Sequence, residues 1–408
     1  MSKTERLYYA DSHLTVFEAT VIDVTDRVSG WSGVTLDRSA FYPTGGGQPS
    51  DVGFLNSAKV VECIDQEENG ILHIVEGTAP RIGDRVTGQV DWSIRLDHLQ
   101  QHTGQHILSQ AFVSLYGAET NGFRMMKEAS EIDVELENPS DSRIQAAVEL
   151  ANEIIWGDRE LRIHTVTPDE AARMPLRKES GRSGTLRVIE IDNFDLTPCG
   201  GTHAQRSGEV GIITVRSWER AKGLTRVVFL AGGRVLADYN RANSTARTVA
   251  SMFSAARDEA PHLVGKAIEE IKQLTRRNSA LETIAARVEA DELISSALTV
   301  ENVRIVSQIF DTKDAEALKR LAHALSTRDH TVALLGSTDA ETARLVFARS
   351  ADAPGDMNLL LKAACVTLEG RGGGKPDLAQ GGGPKVEKIQ EALNNALETI
   401  KLQLRKTI

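Results

Sequence analysis

Two pairs of side chains, each with three residues between its members, have the types and spacing to hold a metal ion: His102 and His106 in HTGQH, and Cys199 and His203 in CGGTH. Residues four apart on a helix share one face, and LDHLQQHTGQHILSQAF reads as a helix, so both imidazoles would point at one centre. The second pair encloses Gly200 and Gly201, which permit a tight loop that folds thiolate and imidazole together. An ion bound by His and Cys is most simply zinc, one Zn2+ per chain. One such pair alone fits an ordinary helix with two histidines. Two pairs, with one of only three cysteines in the second, favour the ion. Zinc lowers the pKa of bound water from 15.7 to roughly 7 and polarises a carbonyl. Four protein donors, however, make the closed set of a structural site, whereas catalytic zinc keeps a position open.

Two glycine clusters add further chemistry. FYPTGGGQPSDVG, from Phe41 to Gly53, lacks the Gly-Lys-Ser/Thr ending of a P-loop. Thr44, Gly45, Gly46, Gly47 and Gln48 put a hydroxyl, three bare backbone units and an amide in consecutive positions. Such a run suits a loop folding over a small polar ligand; its plainer reading is a surface turn. RGGGKPDLAQGGGPK, from Arg371 to Lys385, is either a flexible link or a segment whose backbone approaches a sugar-phosphate chain, with Arg371, Lys375 and Lys385 alongside. Basic residues flank the second metal pair: Arg173, Arg177, Lys178, Arg182 and Arg187 before it, and Arg216, Arg220, Lys222 and Arg226 after it. They suit a polyanionic substrate or simply a solvated surface.

These residues need a scaffold, and the chain is long enough for two or three domains. A net charge of −10 argues against unselective coating of nucleic acid, while local patches still decide where phosphates bind. No apolar run approaches the roughly 20 residues that span a bilayer, and MSKTERLYYADSH lacks a signal-peptide core. Cys63, Cys199 and Cys365 are too scattered for a disulfide framework, which fits a reducing cytoplasm. The pattern predicts a multidomain α+β chain. Residues 1–93 form a small β-barrel or sandwich carrying the Gly-Gln loop, with short alternating strands over 14–92. Residues 94–232 form an α+β domain with a helix from Ile94 to about Leu115, a second helix near 141–156, and strands around the CGGTH loop. Residues 233–300 are helical, broken at Pro261, with Val264, Ile271, Leu274, Leu281 and Val288 near heptad spacing and Asn278 facing inward: a hairpin, a short coiled coil, or a helix packed on its own domain. Residues 301–408 form an α/β domain.

In this order, FYPTGGGQPSDVG, QQHTGQHIL, PCGGTH followed by SGEVG, and GRGGGKPDLAQGGG resemble the alanyl-tRNA editing proteins, relatives of the editing domain of alanyl-tRNA synthetase. The resemblance runs over nearly the whole chain and marks the long form, with the C-terminal domain also found on DHH phosphoesterases. It implies hydrolysis of alanine tRNA mischarged with serine or glycine. Thr44 would contact the seryl hydroxyl, Gln48 would orient substrate or water, and Gly45, Gly46, Gly47, Arg371 and Lys375 would bind substrate. Asp195 would support a metal histidine, whereas Asp97 and His98 would be structural. The C-terminal domain would grip tRNA, and the helical segment would pair two copies. The barrel starts near Met1, which leaves no room for an aminoacylation domain and predicts removal of an amino acid rather than attachment. The alternatives are a non-catalytic tRNA-binding protein with structural zinc and a hydrolase for another mischarged tRNA.

Overall fold

The computed structural model describes residues 4–26, 30–178, 184–311 and 313–406; Arg182 lies outside them. The chain divides into two compact units, Met1–Val249 and Ala250–Ile408. Among the described residues no helix is long and apolar enough to cross a membrane.

The first unit opens with a closed six-stranded barrel. Its order is Val16–Asp26, Trp31–Leu36, Ile71–Glu76, Ala58–Asp65, Gly53–Leu55 and Arg85–Val90, which closes on the first strand. Alternation drives closure: in RVTGQV every second residue is buried, so Val86 and Val90 join Val34, Leu36, Val60 and Val75 inside. The barrel chain leads into helix α1, Trp92–Tyr116, and Asp91 caps it by accepting from the Ser93 amide at 2.9 Å. Gly117 ends the helix at φ 64°, a conformation that glycine adopts without steric cost. Ile107, Leu108, Ala111 and Phe112 of α1 share a core with Ala147, Ala151 and Ile155 of helix α2, Asp141–Trp156, and with Val227 and Phe229. Two antiparallel sheets complete the unit: one of four strands between Thr120 and Ala231, and one of Leu161–Val166, Leu186–Ile191 and Asp195–Pro198.

An ionic joint fixes barrel to helix. The Arg95 guanidinium and Asp51 carboxylate pair in full burial, and Arg95 also donates to the carbonyls of Ser12 (2.5 Å) and Ala40 (2.6 Å). Burial alone would raise the Asp51 carboxyl; His98 and Arg95 overcome this and hold it below the usual value.

Helices Gly233–Ser251 and Ala260–Ser295 occupy the long helical stretch. The sequence expectation of a break at Pro261 needs correction, because the break precedes it and Pro261 sits in the first turn of the second helix. That position has no intrahelical use for the missing N–H. Asn278 is exposed and donates to Glu282 on the same helix at 3.0 Å.

The second unit carries a six-stranded mixed sheet in the order Leu298–Val300, Val303–Phe310, Thr331–Thr338, Ala343–Arg349, Leu378–Gly383 and Arg371–Gly374. The glycine-rich segment is therefore neither a linker nor an open loop but the hairpin at one sheet edge. A Cβ on Gly372 would lie 2.8 Å from Leu361 Cδ2 and 2.9 Å from Cys365 Sγ, so those glycines admit the helix Met357–Thr367. Arg371 and Lys375 are exposed on this hairpin.

Candidate metal centre and its cleft

His102 and His106 lie one turn apart on α1, while Cys199 and His203 follow the strand Asp195–Pro198. Their four donor atoms all fall within 4.8 Å of one another. Gly201 makes this approach possible: a Cβ there would stand 2.1 Å from His102 Cε1. Each imidazole uses Nδ1 on a protein partner. His102 meets Gln48 Oε1 at 2.7 Å, His106 meets Asp195 Oδ2 at 3.1 Å, and His203 meets Thr103 Oγ1 at 3.3 Å. An amide oxygen and a carboxylate only accept, so the protons of His102 and His106 sit on Nδ1 and leave Nε2 for an ion. The Nε2 atoms of His102 and His203 lie 3.4 and 3.3 Å from Cys199 Sγ.

The electrostatics suit a cation. Burial would raise the Cys199 thiol, yet the neighbouring imidazoles of His102 and His203 carry it well below its ordinary value. Burial pushes His203 down to about 3, so it is a neutral donor at pH 7. For His106 burial acts downward, but the hydrogen bond to Asp195 prevails and raises it. Asp195 is held near 2 against burial by His106 and Arg177, whose Nε donates to it at 2.8 Å. One soft thiolate and three imidazoles, buried or nearly so and with their outer nitrogens occupied, fit zinc.

Beside the cluster is a cleft of about 410 Å³ lined by Gly46, Gln105, Thr120, Phe123 and Gly200, among others. Arg177, Lys178 and Arg187 also line it, and among the described residues no carboxylate does. The barrel supplies part of the wall. Its Gly-Gln loop docks on the strand Thr120–Met125 through the Met125 amide, which donates to the Gly47 carbonyl at 2.8 Å. A Cβ on Gly47 would meet the Phe123 carbonyl oxygen at 2.4 Å. Gly45 and Gln48 exchange backbone hydrogen bonds at 3.0 and 2.9 Å, which folds the turn that puts Gly46 on the cleft.

Two expectations for this loop are revised. Gln48 is 1% exposed; besides His102 its amide engages the Thr202 hydroxyl at 2.8 Å and the Thr202 amide at 3.3 Å. It ties the loop to both metal pairs and does not open on the cleft. Thr44 is exposed and absent from the cleft lining, and its hydroxyl accepts from the Ser50 amide at 3.1 Å. Among the polar groups that do reach the cleft, which include Asn121, Thr185 and Thr197, Gln105 and Thr120 are joined through the Ser109 hydroxyl at 2.8 Å each. Gln105 was legible, since it lies three residues after His102 on the same helix face. No local signal in the sequence marks Thr120.

Comparison with known proteins agrees with this geometry. Three family models match: tRNA synthetases class II (A) over residues 3–94, the Threonyl and Alanyl tRNA synthetase second additional domain over 186–228, and the DHHA1 domain over 302–402. The alanyl-tRNA editing protein AlaX-L of Pyrococcus horikoshii is 32% identical over 98% of this chain and 99% of its own length. The chain belongs to the alanyl-tRNA editing protein family. Its editing relatives extend into larger enzymes: the alanine–tRNA ligase of Methanobrevibacter smithii is 30% identical over 98% of this chain, which spans 46% of that ligase. The solved C-Ala domain of Aquifex aeolicus alanyl-tRNA synthetase is 26% identical over 26% of this chain and 97% of its own, with a TM-score of 0.25. For an editing-family chain the second additional domain match is the informative one, because Cys199, His203 and Arg187 all fall inside it.

Proposed function

We propose that the chain is a trans-editing hydrolase that removes serine, and also glycine, from mischarged alanine tRNA and does not aminoacylate. The observation that carries this reading is the cleft itself, cationic, free of carboxylates among the described residues and adjoining four convergent metal donors, in a chain of the editing family. His102, His106, Cys199 and His203 would hold one zinc ion, which would polarise the ester carbonyl and acidify water. Hydrolysis adds water across the ester, so the acyl C–O bond breaks, the amino acid leaves as a carboxylate and the ribose hydroxyl regains its proton. Gln48, Asp195 and Thr103 keep the imidazoles oriented, and Gly46 with Phe123 shapes one wall of the cleft.

Selectivity follows from the polar lining. A pocket built to hydrogen-bond a hydroxyl favours the seryl over the alanyl ester, because the alanyl methyl leaves its groups unpaired, whereas the smaller glycyl ester leaves room for water to pair with them. Gln105 and Thr120 are the residues we assign to the seryl hydroxyl, in place of Thr44. The wider scheme keeps the four segments 1–93, 94–232, 233–300 and 301–408 as barrel, editing domain, helical segment and tRNA-gripping domain. Arg371 and Lys375 would contact tRNA, and the helical segment would pair two copies. A cytoplasmic setting fits a cysteine that must stay reduced.

The deciding experiment is deacylation of seryl-, glycyl- and alanyl-charged alanine tRNA, with and without a chelator, beside an aminoacylation assay. Turnover of the seryl and glycyl esters that stops with chelator, spares the alanyl ester and comes with no charging activity is the expected result. A second reading, a tRNA-binding protein with structural zinc, draws support from the all-protein donor set. It predicts binding without turnover. Equal turnover of a mischarged threonine tRNA in the same panel would redirect the substrate.

A further inference from the structure

The three cations that line the cleft among the described residues are not equivalent. Arg177 is committed to Asp195, with Nε at 2.8 Å and Nη2 at 3.3 Å from its carboxylate. Arg187 is committed only in part. Its Nε donates to the Tyr9 carbonyl at 3.2 Å, and its Nη1 to the carbonyls of Cys199 (2.8 Å) and Gly201 (2.9 Å). These bonds fix the guanidinium beside the metal loop, while Nη2 is buried and finds no acceptor among the described residues. Lys178 is exposed and reaches the Thr120 carbonyl at 3.5 Å, the outer limit of a hydrogen bond. Among the described residues, a guanidinium with a spare buried donor and an ammonium paired with no carboxylate thus line one cleft, in a chain whose net charge is −10. A buried N–H without an acceptor is costly, and guanidinium and ammonium groups pair best with phosphate oxygens.

We infer that Lys178 and Arg187 form a phosphate subsite that holds the 5′-phosphate of the terminal nucleotide of aminoacyl-tRNA. Anchoring that phosphate fixes the distance from the backbone to the ester and so sets the scissile bond beside the donor cluster. The inference rests on the deacylation reading of the cleft and adds which atoms grip the substrate's last phosphodiester. Lys178 supplies charge at the exposed side, and Arg187 links the anchored phosphate to the loop that carries Cys199 and Gly201.

The test is calorimetric binding of adenosine 5′-monophosphate, adenosine and inorganic phosphate to the full-length, zinc-loaded protein at low salt. Adenosine 5′-monophosphate is expected to bind about tenfold more tightly than either adenosine or inorganic phosphate. Lys178→Ala should remove most of that difference and leave adenosine binding unchanged. Arg187→Lys should reduce it in part, with zinc content measured in parallel to separate loss of the anchor from loss of the metal loop. Equal affinity for nucleotide and nucleoside in the unmodified protein would overturn the inference, and so would a phosphate preference that survives Lys178→Ala. Inorganic phosphate binding as tightly as the nucleotide would make this a free-anion site and overturn it too. Binding is read without turnover, so a protein that prefers the nucleotide but fails to deacylate sinks the hydrolase reading and leaves the subsite standing.

Discussion

Asp51 belongs by sequence to the Gly-Gln loop, yet its carboxylate is spent on Arg95 in a site where both side chains are fully buried. Removing one partner of such a pair strands the other charge. Asp51→Asn is therefore expected to cost about 3–5 kcal/mol in chemical denaturation. Because the folded carboxyl is held below its unfolded value, the pair's contribution is complete above about pH 4 and disappears as pH falls through the lower folded value. The buried neutral His203 and His73 already make stability fall below about pH 6.5. The signature therefore lies in the gap between the parent and Asp51→Asn, constant from pH 7 to about 4 and closing below it; a gap that starts to close near pH 6 contradicts it. Thr44 and Thr120 make the complementary pair for substrate choice. The Thr44 hydroxyl serves the Ser50 amide outside the cleft, whereas Thr120 lines it. Thr44→Val should leave the ratio of seryl to alanyl deacylation unchanged, and Thr120→Val should lower it by about tenfold or more. The reverse outcome would restore Thr44 as the reader.

Elements bring these residues together, and they differ in how much the sequence reveals. The spacing of His102 and His106 within a helical pattern was legible because a helix converts four residues into one face. The convergence of Cys199 and His203 on that face was inferable only from matching chemistry, since the chain path between them runs through seven strands and helices that no local pattern orients. The barrel was legible as β-rich, but closure depends on pairing Val16–Asp26 with Arg85–Val90, a long-range contact. The glycine-rich terminal segment misled most, because composition does not separate a bare loop from a strand pair that a helix presses upon. Gly372→Ala is predicted to destabilise the second unit by about 1–3 kcal/mol through overpacking against Leu361 and Cys365. At Gly373 an added Cβ meets Asn358 Oδ1 at 3.5 Å and Lys362 Cε at 3.9 Å, both ordinary contacts, so Gly373→Ala should stay within about 0.5 kcal/mol. Equal losses at both positions would mean that backbone freedom, not packing, explains these glycines.

At the scale of the molecule, every residue assigned to the metal, the cleft and the phosphate subsite lies in the unit Met1–Val249, while the glycine hairpin with Arg371 and Lys375 lies in Ala250–Ile408. On the proposed function, chemistry and grip would be carried by separate bodies of one chain. The boundary matters for testing this. A cut at 232/233, where the sequence suggested one, would remove Arg234, whose guanidinium clamps Asp97 of α1 at 2.8 and 2.7 Å and the Met126 carbonyl at 2.7 Å. A chain ended at Val249 keeps that clamp. It should retain one zinc per chain and hydrolyse a minimal seryl-adenosine ester at the full-length rate, since neither needs the second unit. Its affinity for alanine tRNA should fall by about 100-fold, because two linked contacts on one ligand bind far more tightly than either alone. Filter binding at fixed salt measures this directly, as phosphate contacts make affinity steeply salt-dependent. Unchanged tRNA affinity would assign the grip to the first unit, and loss of zinc on truncation would show that the two bodies are not independent.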